Sequence, residues 1–500
     1  MSIIDEQMTA KRQHKRIYHI GLVDADLLCN GTRHPNLALL KIAGYLRDNG
    51  FVLKNPEIES AKVNTYELLT NESNFEMLQD LDLVYVSCVF SFTLDKPPVL
   101  LRTLLNDKEL SRKVRLGGTG SYANLSIEDG FAEKREEDMH RLENDVFLNR
   151  LKNKSGTHGI DMRTQMPDYH LYDEYISIME TLKSSAKYYK DYKEYSIGFL
   201  TRGCFRRCPF CVNKLERKAM PYSNLNDFLD QERDEKGRLV RPYIYLWDDN
   251  FLASPYWEKL LDELIATGRP FQFRQGLDER LIAQNKRGED MAKKLAHANY
   301  HGDFIFAFDN WHDRKLIEKA LKIWKFHCPK KETKFYLFCG FQQNTNDDKK
   351  FQLDIAQIFM RICVLMRYGC LGYIMRHEDY KKAPISNIYV QIARWCNQPG
   401  FYRNLSFWQF CYKNQTYWEE HTLGIKHERL KSYDEFLEDL EMGYYDDKKI
   451  CLPLKSVHDF LLKFHHHKRL FLSFFNLSFK QMIDSSLWES ASINTQTSKL

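Results

Sequence analysis

The feature that most constrains this 500-residue chain is an alternation of two periodicities over its middle part. Short apolar stretches, "EYSIGFLTRG", "RPYIYLWDDN", "PFQFRQG", "GDFIFAFDN", "TKFYLFCGF" and "LGYIMRH", read as buried strands. Amphipathic segments such as "SPYWEKLLDELIAT" and "DRKLIEKALKIWKF" stand between them and read as helices. Strands joined by whole helices pair in parallel, because a hairpin return is too short to hold a helix. About six such units predict a partial (β/α)6 TIM-type barrel over residues 166–385. In such barrels chemistry gathers at the C-terminal ends of the strands, where Cys204, Asp248, Asp249, Gln275, Asp309 and Gln342 fall.

The same alternation opens the chain. "RIYHIGLV", "FVLKN", "LDLVYVSCVF" and "KVRLGGTG" read as strands, with helices in "PNLALLKIAGYLRDNG" and "KPPVLLRTLLND". Pro35 suits the first turn of the former helix and Gly50 its stop. A Rossmann-like doubly wound domain is expected over 17–125, a charged linker over 126–165 and a helical C-terminal region over 386–485. Flexible tails are expected at 1–16 and 486–500. The fold class is therefore α/β. Hydrophobic residues at 43% leave ample material for cores, and the balance of 73 basic against 68 acidic residues does not favour nucleic acid as a partner. The polar opening "MSIIDEQMTAKRQHKR" lacks a signal-peptide core, and no long apolar run predicts a membrane span, so a reducing cytoplasmic setting is expected.

That setting matters for twelve cysteines, three of which crowd into "TRGCFRRCPFCVNK". Clustered thiols in a reducing compartment favour metal binding or catalysis over disulfides. The spacing of Cys204, Cys208 and Cys211 is neither the x2-x2 run of bacterial ferredoxins nor the paired CxxC of zinc ribbons. No fourth cysteine lies near, the next being Cys328. Three thiolates on a cubane leave one iron open, the position where metal chemistry occurs; structural zinc is the alternative.

"GCFRRCPFC", directly behind a strand, resembles the signature of the radical S-adenosylmethionine (SAM) superfamily, including the aromatic Phe210 before the last cysteine. The resemblance extends over roughly 165–385, through "MPDYHLYDEY", "YIYLWDDNFL", "QGLDERL" and "FIFAFDN". It implies a 4Fe–4S cluster on Cys204, Cys208 and Cys211, with SAM chelating the open iron and cleaved by one electron to a 5′-deoxyadenosyl radical. Phe210 is expected near the adenine, Asp248 or Asp249 at the methionine amino group or sulfonium, and Asp309 at the ribose hydroxyls. Arg202, Arg206 and Arg207 would offset the cluster charge or face an electron donor such as a flavodoxin or ferredoxin.

"HPNLALLKIAGYLRDNGFVL" and "LGGTG" resemble the cobalamin-binding domains that precede many such barrels. Many of these hold cobalt through the histidine of a DxHxxG loop. Here "VDADLLCNGTRHPN" has no histidine two positions after Asp24 or Asp26, and His34 is expected to cap a helix or lie on the surface. The domain is therefore expected to serve as a scaffold or substrate lid without cobalamin. Methylthiotransferases carry three cysteines in that domain, whereas this one has only Cys29 and Cys88. Cys363, Cys370, Cys396 and Cys411 are expected to be buried thiols, and "FHHHKR" a surface stretch. The substrate class is left open, with methyl transfer, ring rearrangement and peptide modification all compatible. The alternative function is a non-catalytic metal-stapled binding protein, contacting nucleic acid through its basic loops.

Overall fold

The structure, a computed structural model, describes residues 16–483 except 33, 56–61, 72, 74, 124, 126–127, 183–188 and 446–448. Of the tails expected at 1–16 and 486–500, all but residue 16 lies outside the described residues. Parallel sheets interleaved with helices make an α/β protein. The chain gathers into two compact units, 1–207 with 211–247, and 208–210 with 248–500.

The first unit is built on strand β1 (His19–Asp24), whose "HIGLVD" is buried along almost its whole length. Helix α1 (Ala25–Asn30) follows, then α2 (Leu37–Asp48), β2 (Val52–Leu53), β3 (Thr65–Leu68), β4 (Leu83–Ser87), α3 (Val99–Asn106) and β5 (Val114–Gly117). The five strands are all parallel in the order β2-β3-β1-β4-β5, with β1 in the middle. Strands covered on both faces need apolar residues at consecutive positions, and β1 and β4 have them. Helix α2 begins two residues past Pro35, so the proline does not stand in its first turn. Asn36 is the cap, its side chain accepting the Leu39 N–H at 3.2 Å, and Pro35 stays outside.

Helix α2 is buried on most of its circumference because a second segment covers its outer side. A Cβ on Gly44 would stand 2.0 Å from the Met166 carbonyl oxygen, so only glycine lets the chain pass there. Asp168 N–H bonds the Leu40 carbonyl (2.8 Å), and the buried Asp168 carboxylate accepts from Tyr66 and from Arg47 (3.1 Å). Tyr172 reaches Asp24 at 2.8 Å. Helix α4 (Phe131–Glu143) lies inside the stretch expected to be a linker, and α5 (Asp173–Leu182) follows. Strand β6 (Tyr195–Gly198) and strand β9 (Tyr243–Leu246) pair in parallel, and between them β7 (Thr201–Arg202) and β8 (Met220–Pro221) form a small antiparallel ladder.

The second unit runs α6 (Trp257–Ala266), β10 (Phe271–Phe273), α7 (Arg280–Gln284), α8 (Gly288–His297), β11 (Phe304–Ala307), α9 (Arg314–His327), β12 (Thr333–Cys339), α10 (Asp348–Arg367) and β13 (Leu371–Arg376). Parallel bridges at Phe271–Tyr300 and Leu277–Phe306 join β10 to the β11 edge, and β11, β12 and β13 pair in parallel in chain order. Every segment expected to be a strand in this half is one. Helices α11 (Asn387–Cys396), α12 (Phe407–Leu423), α13 (Tyr433–Glu441), α14 (Leu452–Lys463) and α15 (Lys468–Phe475) complete the unit. Their aromatic residues pack on α10, with Phe359 against Trp395, Phe407 and Phe475.

Candidate functional site

The cysteine loop is an excursion from the β7–β8 ladder. At its base Gly203 has φ +100°, and a Cβ there would stand 2.1 Å from the Lys218 carbonyl oxygen. Cys204 N–H bonds the Glu216 carbonyl at 3.0 Å, drawing the two ends of the loop together. From outside, α4 braces it. Arg135 pairs with Glu216, and Lys214 donates to the Leu125 carbonyl while its ammonium lies 4.5 Å from the ring of buried Phe131.

The three thiols differ from most of their kind in this chain. Cys204, Cys208 and Cys211 are half-buried, whereas Cys88, Cys328, Cys339, Cys363, Cys370, Cys396 and Cys411 are buried; none of the twelve is in a disulfide. Burial pushes the thiols of Cys88, Cys363 and Cys370 up to about 12, which keeps them protonated and inert. In the loop the sulfurs receive donors instead. Cys204 Sγ accepts the Arg206 N–H and Cys211 Sγ the Asn213 N–H, each at 3.4 Å. Amide hydrogens aimed at sulfur favour the thiolate, the form that ligates metal. Among the described residues no group of three or more His, Cys, Asp or Glu is arranged to hold a metal ion. What fits a cluster here is the donor chemistry: half-buried sulfur outside any disulfide, with amide donors on Cys204 and Cys211 already in place.

No protein-family model and no curated protein matches this chain. The site therefore rests on its own geometry. Cys204 and Cys211 belong to the first unit and Cys208 through Phe210 to the second. The Phe210 ring stacks on Phe338 at the end of β12, with centroids 3.7 Å apart and planes inclined by 25°. Phe341 meets Phe210 edge-on at 6.0 Å and His377 at 5.0 Å, so one face of Phe210 is taken by an aromatic group from its own unit.

Asp248 is buried and Asp249 half-buried, both directly after β9. Asp309, two residues past β11, accepts the Phe338 N–H through Oδ1 at 3.1 Å. Burial raises its carboxyl above the usual range, with the Arg361 guanidinium opposing. Arg361, on α10, is itself buried and donates through Nη1 to the carbonyls of Phe308 (2.8 Å), Asp309 (3.0 Å) and Phe338 (3.0 Å). It clamps the ends of β11 and β12 together. Gln342 takes φ +53°, with its N–H on Asp379 at 3.1 Å.

Sequence reasoning missed this clamp, and it missed the acids behind β10. Asp278 bonds Arg280 Nε (2.6 Å) and the Asn250 amide (3.2 Å), and Arg280 also reaches Asp313 (2.7 Å). Next to them Glu279 is fully buried. The available signal was the Asp-Glu-Arg run of "QGLDERL", which follows a strand and a glycine.

In the first unit the residues considered for a cofactor are engaged by the chain. Asp24 holds the Leu27 N–H and Tyr172, and burial pushes its carboxyl up to about 6. Asp26 receives the Val89 and Phe90 amides and the Thr93 hydroxyl at 2.7–3.3 Å. In "LGGTG", the Gly118 N–H goes to Asp138 on α4 and the Gly120 N–H to the Cys88 carbonyl. His34 is not the helix cap, which is Asn36. His34 pairs with Asp191 at 2.8 Å and meets Tyr245 and Trp247 edge-on.

Proposed function

We propose that this protein is a radical SAM enzyme with Cys204, Cys208 and Cys211 as the thiolate ligands of a 4Fe–4S cluster. The observation that carries the reading is the contrast among the thiols: three half-exposed sulfurs in a braced loop, two of them receiving backbone N–H, against a majority sealed in cores. A cluster held by Cys204, Cys208 and Cys211 would supply the electron for reductive cleavage of SAM and so the means to abstract hydrogen from a substrate. The chain's own residues hold the parts. Gly203 and α4 fix the loop, the amides of Arg206 and Asn213 donate to the sulfurs of Cys204 and Cys211, and Asp248, Asp249 and Asp309 offer acceptors for the amino group and ribose of SAM. Asp309 keeps Oδ2 for that purpose, since Oδ1 is taken by Phe338.

The successive parallel strands fit a (β/α)6 barrel after a Rossmann-like domain that serves as scaffold. The electron arrives from a flavodoxin or ferredoxin at the loop's arginines: Arg202 is stacked 4.4 Å over Phe199, and Arg206 lies 4.5 Å over exposed Phe205. Twelve cysteines with none in a disulfide suit a reducing cytoplasm, and among the described residues no helix is long and apolar enough to cross a membrane.

Anaerobic purification tests the reading. Brown protein with about four irons per chain that cleaves SAM under dithionite is expected. Single Cys→Ser changes at 204, 208 and 211 should each abolish cleavage. Colourless protein carrying zinc, or cleavage retained with full iron in all three variants, overturns the assignment and restores the metal-stapled alternative.

A further inference from the structure

Helix α9 (Arg314–His327) divides its circumference sharply. Ile317, Ala320, Leu321 and Trp324 are buried, three and four residues apart, and fix the face it turns to the core. At about 100° per residue, Lys315, Lys319, Lys322 and Phe326 fall together on the opposite face, and all four are exposed. The lysines follow one another at about 6 and 4.5 Å along the axis, and Phe326 stands about 6 Å further on. Exposed Lys330 extends the positive charge past the helix end. Among the described residues the three ammonium groups on the helix have no carboxylate partner. The helix has one acid, Glu318, and Arg314 takes it at 3.2 Å. Other solvent-facing helices pair their cations: Lys134 with Glu137 on α4 (2.8 Å), Lys259 with Glu263 on α6 (3.7 Å), and Lys294 of α8 with Asp262 of α6 (2.7 Å). Phe326 is 78% exposed, the most open of the large hydrophobic side chains described. The near balance of 73 basic against 68 acidic residues leaves room for such a row, because a partner feels charge locally. Like charges three and four residues apart repel, and a polyanion relieves them while releasing its own counterions. Lysine is depleted at protein–protein interfaces, and a membrane surface would ask for several apolar side chains rather than one. A solvent-facing ring in line with three point charges matches a strand that offers both phosphates and unstacked bases.

We propose that the outer face of α9 binds a single-stranded polynucleotide, with Lys315, Lys319 and Lys322 on its phosphates and Phe326 stacked on a base. The contact needs neither cluster nor SAM, so it stands apart from the radical SAM reading. Lysines contact phosphate without reading sequence, and a phenyl ring stacks on any base. Binding is therefore strongly salt-dependent and tolerant of sequence.

The test uses the full chain with short, fluorescently labelled RNA and DNA strands of mixed sequence, read by anisotropy over a range of salt. Each phosphate contact steepens the fall of log K with log salt by about 0.7 for single strands. Lys315→Gln, Lys319→Gln and Lys322→Gln combined should therefore flatten the slope by about 2. Phe326→Ala should keep the slope and weaken binding about fivefold or more. Lys259→Gln, which removes a lysine already paired with Glu263, should change neither. The altered side chains are exposed, so circular dichroism and melting temperature should match wild type. A preference for RNA or for DNA supports the proposal either way and names the strand. Wild type that binds neither strand at low salt, or a triple variant with the wild-type slope, overturns it. So does polyglutamate, or a vesicle containing phosphatidylserine, that binds this face while the strands do not; the face would then belong to an acidic protein or a membrane.

Discussion

Asp248 and Asp249 show what single residues can be asked to do. Paired acids behind a strand can be an ordinary turn, yet Asp248 is 2% exposed, deeper than a turn carboxylate needs to be. If one of them holds the SAM amino group, its change to Ala removes a charge-assisted hydrogen bond worth about 1.5–3 kcal/mol. Affinity for SAM should then fall roughly tenfold to hundredfold with iron content unchanged. Unaltered binding in both Ala variants, measured by equilibrium dialysis, would return the pair to the role of a turn. The cysteine loop could be picked out from spacing alone, because three thiols within eight positions stand out among twelve spread over the chain; the cluster on it is the proposal made above. Arg361 and Glu279 were not legible in this way. Each earns its chemistry from burial against strands far away in sequence, and in the chain Arg361 looks like any basic residue of a long helix.

Among elements, the strands were legible because buried parallel strands need continuous apolar runs, which few other structures tolerate. One was missed. "TYEL" of β3 is half polar and only four residues long, and its identity comes from pairing with β1 and β2. The stretch 126–165 reads as a linker because α4 is highly charged, but Phe131 is buried and Arg135 pairs with Glu216, so the helix props the cysteine loop. The base of that loop offers the sharper test. Gly203→Ala would place a methyl carbon against the Lys218 carbonyl in a backbone region that costs L-residues strain. We expect a loss of about 1–3 kcal/mol, read as a lower melting temperature of the apo-protein, and reduced iron retention with the far-ultraviolet circular dichroism preserved. Full iron retention and an unchanged melting temperature would mean that the loop does not depend on this close approach.

For the whole molecule, the open question is whether the first unit carries a cofactor of its own. In doubly wound sheets ligands enter at the carboxyl ends of the strands where the connection order reverses, here between β1 and β4. That crevice is laced by Asp26, whose carboxylate collects two amides and a hydroxyl from the segment after β4. Asp138 fills the Gly118 amide that a phosphate or corrin amide side chain would seek, and Gly120 is bonded to Cys88. Opening the crevice would strand a buried aspartate, at a cost of about 1–3 kcal/mol for each donor left unreplaced. A corrinoid would have to return all of that. The first unit is therefore expected to bind no cobalamin and to act by holding the segment 166–172 through Asp168 and Tyr172, the lead-in to β6. Cells grown with cobalamin should yield protein whose absorption spectrum shows iron–sulfur bands alone. A corrinoid co-purifying in stoichiometric amount would overturn this and bring methyl transfer to the front of the candidate reactions.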